Sequence, residues 1–92
     1  MLNRTNGRSG LEIMLKLYTK TDCVYCDMMK SKLDIWGYEY EVINIQEDTD
    51  AKTFILNEGH KTVPQLYYND KNVNRGINTD EFTKSILEET MK

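Results

Sequence analysis

Residues 16–30 read KLYTKTDCVYCDMMK, and both cysteines of the 92-residue chain fall inside this window, two residues apart. Upstream, 13–19 (IMLKLYT) is rich in apolar residues and breaks at Lys20, Thr21 and Asp22, the pattern of a buried strand. Downstream, Met29, Leu33 and Trp36 recur at i, i+4 and i+7, one face of a helix over 24–36, and Gly37 stands where such a helix closes. Cys23 is therefore expected where the strand ends and the helix begins, with Cys26 one turn further in.

The rest of the chain extends this start. YEYEVINI (38–45) alternates and is rich in β-formers, predicting a second strand. EDTDAKTFILNEG (47–59) opens on acidic and Thr residues and closes on Gly59, predicting a second helix with Phe54, Ile55 and Leu56 as its apolar content. Pro64 precedes a short strand, Asn69 and Asp70 make a turn, and 71–74 return as a hairpin partner. NTDEFTKSILEETMK (78–92) predicts one last helix, with Asn78 and Glu81 at capping-box spacing and Phe82, Ile86 and Leu87 as its buried stripe. The order is β-α-β-α-β-β-α. The first crossover requires parallel pairing and the last two strands must be antiparallel, so the fold class is α/β with a mixed sheet.

Composition narrows the function classes. Ninety-two residues allow one small domain with a modest core, burying about 60–65% of the unfolded surface. The net charge of −3 supplies no basic field for phosphates, so nucleic acid is not an expected partner. No apolar run nears the roughly 20 residues that cross a bilayer. The first thirteen residues lack the apolar centre of a secretory signal, so 1–12 are read as a flexible extension, 13–92 as the domain, and the protein as cytoplasmic; a monomer is expected. In a reducing compartment a lone cysteine pair points to catalysis or metal rather than to a structural staple.

The junction supports catalysis. C-x-x-C in a first helical turn brings two sulfurs within disulfide reach. Unpaired N–H groups and the positive helix end favour a thiolate there, and Lys20 adds charge, while Asp22 and Asp27 oppose it. Cysteine titrates near 8.5, and such sites lower that to anywhere between about 3.5 and 7.5. Cys23, the more N-terminal and exposed, is expected to attack, and Cys26 to resolve. Zinc wants about four ligands, and beside the two cysteines the chain has one histidine, His60, far along the chain and read as lying in a solvated loop, so zinc would need a second subunit.

YTKTDCVYC, followed some forty residues later by TVPQLY, resembles the glutaredoxins, and the resemblance runs from residue 14 to about 88. It implies a thioredoxin-like fold of four strands flanked by three helices, and thiol–disulfide exchange with no bound metal or organic cofactor and glutathione as co-substrate. It also implies that Pro64 is cis and that Thr62, Val63 and Pro64 wall the site, with the Val63 backbone pairing an extended substrate. Lys20 matches the lysine that receives a glutathione carboxylate and Tyr25 the aromatic between the cysteines. Thr79 and Asp80 match the residues that hold the γ-glutamyl end. NRGINTDEF departs from the family: Arg75 stands for the first of two glycines, where it either crowds the γ-glutamyl site or supplies it with charge, and Ile77 and Asn78 add length. That stretch and NIQEDTDA are also similar to the glutaredoxin-like redoxins that serve ribonucleotide reductase and draw electrons from thioredoxin reductase. Expected partners are thus glutathione, disulfide-bearing proteins such as ribonucleotide reductase, and a reductase. An iron–sulfur carrier and a redox-silent binding module are the remaining alternatives.

Overall fold

A computed structural model describes residues 15–91. Residues 13 and 14 of the expected first strand, and the whole 1–12 extension, lie outside them. Four strands form one sheet in the order β2-β1-β3-β4, with β1 at Leu15–Thr19, β2 at Glu41–Asn44, β3 at Gln65–Tyr68 and β4 at Lys71–Asn72. β1 pairs parallel with β2, placing Leu17 opposite Val42, and antiparallel with β3, placing Leu17 opposite Leu66. β3 and β4 are antiparallel, as the Asn69–Asp70 turn requires. The helices are α1 at Val24–Trp36, α2 at Thr49–Asn57 and α3 at Lys84–Thr90. This is the mixed four-stranded, three-helix α/β fold expected of the sequence, shorter at several ends.

Strand alternation divides the core. Leu15, Leu17 and Leu66 point to one face, where Met29 and Leu33 of α1 meet Val73, Phe82 and Leu87. Tyr18 and Tyr67 point to the other, against Ala51 and Ile55 of α2. Each fully buried leucine is worth about 1.5–3 kcal/mol of transfer free energy. Of the adjacent methionines, Met29 is buried and Met28 half-buried. Gly37 closes α1 with φ +83°, its N–H donating to Asp34 O while the Tyr38 N–H donates to Leu33 O.

The last helix differs from its expectation. Thr79–Glu81 form one 3-10 turn, and α3 begins only at Lys84, capped by the Thr83 hydroxyl accepting from the Ile86 N–H at 3.3 Å. Asn78 makes no side-chain cap. The break comes from Phe82, whose extended backbone (φ −75°, ψ 128°) turns its ring into the core and its carbonyl toward Lys32 Nζ at 2.7 Å. Burial of that ring overrides the local helix signal.

Candidate active site

The polar segment after β1 is tied down before it reaches the cysteines. The Thr21 N–H donates to Gln46 Oε1 (3.1 Å), and Asn44 Nδ2 donates to Thr21 Oγ1 (3.2 Å). Asp22 then takes φ +56°, a left-handed turn that acidic side chains tolerate better than most. That turn delivers Cys23 to the N-cap of α1 in extended conformation. Its sulfur accepts from the Cys26 N–H at 3.1 Å and is bonded to Cys26, so the structure shows the oxidised pair. Cys23 keeps 8% of its surface and Cys26 1%, so Cys23 is the reachable sulfur. Asp27 in the first turn is partly answered by Lys30 at 3.7 Å.

Facing Cys23 is the segment 62–64. The Val63-Pro64 bond is cis, and Val63 O lies 3.9 Å from Cys23 Sγ. The carbonyls on either side are held: Gln65 Nε2 donates to Thr62 O at 3.0 Å, and Asn74 Nδ2 to Pro64 O at 3.2 Å. Asn74 also accepts from the Leu66 N–H and from Asn72 Nδ2, so it locks the hairpin to the loop. Among the described residues nothing accepts from the Val63 N–H, leaving the Val63 peptide open beside the sulfur.

A groove of about 390 Å³ runs past this segment. Tyr25, Thr62, Val63, Pro64, Thr79 and Asp80, six of the residues singled out from the sequence, line it together. The two cysteines adjoin rather than line it, Cys23 reaching it through Val63. Lys20 does not reach the groove; it faces a separate cleft on the other side of residues 62–63. Arg75 is also outside: its Nε donates to Val73 O at 3.3 Å, its backbone N–H donates to Asn72 Oδ1, and the groove wall passes to Gly76, Ile77 and Asn78. Arg75 is thus not one of the residues that line the groove.

Sequence reading passed over Gln65 and Asn74, which are buried and groove-lining; an amide flanking a strand carries no signal of the carbonyl it will hold. His60 is not in a solvated loop. It is half-buried, and its Nε2 lies 2.8 Å from Tyr67 Oη, whose hydroxyl donates to Glu58 Oε1 at 2.9 Å. Because the phenol proton goes to Glu58, His60 Nε2–H is the donor of the other bond. Burial, then the Glu58 hydrogen bond, push the Tyr67 phenol well above its ordinary range.

Two sulfurs at the start of a helix, one reachable and one buried, beside a main-chain N–H that has no acceptor among the described residues, mark a thiol–disulfide oxidoreductase of thioredoxin-like fold. Comparison with known proteins agrees. The glutaredoxin profile matches residues 15–73, and the chain belongs to the glutaredoxin family. It is similar to the glutaredoxin-like protein NrdH of Escherichia coli, with 27% identity over 61% of this chain and 69% of that protein. It is likewise similar to mycoredoxin 1 of Corynebacterium glutamicum, with 32% identity over 59% and 68%. Among solved structures, the Escherichia coli NrdH-redoxin superposes with a TM-score of 0.62 at 25% identity, covering 65% of this chain and 79% of that one. A buckwheat glutaredoxin in complex with glutathione superposes at 0.57 and 26% identity, covering 66% and 59%.

Proposed function

We propose that this protein reduces protein disulfides and mixed disulfides of glutathione through a Cys23/Cys26 dithiol cycle, with glutathione as electron source. The observation that carries the reading is the assembly of Tyr25, Thr62, Val63, Pro64, Thr79 and Asp80 around one groove, with Arg75 not among its lining residues. The Cys23 thiolate attacks one sulfur of the substrate disulfide. That S–S bond breaks, and the departing sulfur takes a proton from solvent. Cys26 loses its proton and attacks Cys23, releasing the second substrate thiol and forming the intramolecular disulfide. Two electrons pass to the substrate. Two glutathione thiols return them in two further exchanges, leaving glutathione disulfide.

The surroundings assist each step. The Cys26 N–H and the start of α1 stabilise negative charge on Cys23. The open Val63 peptide aligns an extended substrate by main-chain hydrogen bonds. Asp80 offers a carboxylate to the γ-glutamyl ammonium, and Lys20, across residues 62–63, an ammonium to the glycine carboxylate. The chemistry requires no metal and no organic cofactor, and it suits a reducing cytosol. The protein recipient we propose is the disulfide of a ribonucleotide reductase, the partner implied by NRGINTDEF and NIQEDTDA.

A second reading has its own support. The NrdH-redoxin to which this chain superposes is described as having a thioredoxin-like activity profile. In that reading thioredoxin reductase, not glutathione, resets the disulfide. NADPH-coupled reduction of hydroxyethyl disulfide separates the two. Turnover with glutathione and glutathione reductase supports the first reading. Turnover only with thioredoxin reductase replaces it with the second, and silence in both assays leaves a redox-silent binding module.

A further inference from the structure

Thr62 and Val63 line both the groove and a second, smaller cleft of about 160 Å³. Its apolar surface comes from Ile45, Ile55, Leu56 and Val63, and Leu56 leaves 58% of its area uncovered. Lys20, Lys52 and Lys61 stand around this surface, and among the described residues no acidic one lines it. Among the described residues none of these lysines has an ion-pair partner. His60 closes one wall and is fixed there by its bond to Tyr67. In a chain of net charge −3, three ammonium groups without an ion-pair partner among the described residues, around an exposed leucine, make a local cationic and apolar feature.

Because Thr62 and Val63 line both hollows, an extended chain that pairs with the Val63 peptide lies beside this cleft as well as the groove. We infer that the cleft is a specificity subsite for protein substrates, taking a large apolar side chain flanked by carboxylates beside the substrate's reactive cysteine. Glutathione ends in glycine on that side of its cysteine and brings no side chain to cover Leu56. A protein substrate does both things: its apolar residue covers the hollow, and its carboxylates meet the lysines. The inference rests on the reading above in which Cys23 attacks and Val63 pairs the substrate.

The test uses the fully reduced full-length protein in single turnover. It follows thiol release from hydroxyethyl disulfide and from two cysteine peptides carried as mixed disulfides with mercaptoethanol. One peptide has Leu-Asp-Asp next to its cysteine, made in both chain directions; the other has glycines. The expected result is a preference for the leucine–aspartate peptide of about tenfold, the scale of one buried leucine. The exposed double variant Lys52→Glu/Lys61→Glu, and separately Leu56→Ala, should reduce that preference to about twofold or less. Equal rates for the two peptides, or a preference that survives both variants, overturn the subsite while leaving the Cys23 reading intact. Failure to release thiol even from hydroxyethyl disulfide removes that reading and the subsite with it.

Discussion

Helices α1 and α2 begin in the same way but with different atoms. Each follows a strand, and each is capped by a residue in extended conformation, Cys23 at φ −116°, ψ 105° and Asp48 at φ −124°, ψ 103°. In each the side chain accepts from the N–H three residues on, at 3.1 Å to the sulfur and 3.0 Å to the carboxylate. Aspartate is among the best caps, and cysteine is not among the preferred ones. α2 therefore shows what a cap built for stability looks like on this fold, and α1 shows one that gives up some stability for chemistry. In the proposed cycle the N–H that finishes the helix in α1 is also the one that would stabilise a sulfur anion, so one hydrogen bond would serve fold and reactivity together.

The sharpest way to break this comparison is Cys23→Ser. Disulfide reduction should fall to the uncatalysed background, while the thermal midpoint, measured against reduced wild type, should hold or rise because serine is the better cap. Residual turnover would assign the attack to Cys26. Next in size, Cys26→Ser keeps the capping N–H but removes the resolving thiol. Intact-protein mass spectrometry after exposure to a peptide disulfide should show the peptide trapped on Cys23, with turnover of dithiol-dependent substrates lost.

The other end of α2 gives the pH prediction. Glu58, its C-cap, accepts from Tyr67, whose phenol titrates above its ordinary value of 10 because it is buried and hydrogen-bonded. The unfolded phenol loses its proton first, so this contribution is complete below pH 10 and declines as pH rises beyond it. Tyr67→Phe should cost about 1–2 kcal/mol at neutral pH and flatten the alkaline loss seen in urea titrations. An unchanged alkaline slope would remove Tyr67 from the account. Smallest of all, Asp48→Ala should cost about 1 kcal/mol and lower the midpoint by roughly 4–8 °C, leaving the rate of thiol exchange within about twofold of wild type. A matching loss of rate would mean that the two caps are coupled and not separate devices.

Much of this molecule was legible in one dimension because its signals are local. The spacing of Met29, Leu33 and Trp36, with Gly37 behind them, places α1 to the residue. The C-x-x-C pair and the T-V-P segment belong to one site, and the structure puts Val63 O against Cys23. What escaped is what depends on distant partners. The helix expected from Asn78 onward breaks because Phe82 answers to a core formed by α1 and β1, which its own neighbours do not encode. His60 looked solvated because its partner Tyr67 lies in β3. Arg75 looked like part of the groove until its guanidinium stem was seen on Val73 O.

The edges of the sheet carry a last consequence. β4 is two residues long, and β2, the opposite edge, is four residues long and carries Glu41. Long open edges recruit other chains without discrimination and seed fibres. In the proposed function visitors pair with one loop peptide, that of Val63, next to a sulfur that would hold them covalently and let them go. Binding then needs no open strand, and the sheet offers little on which a stack could grow.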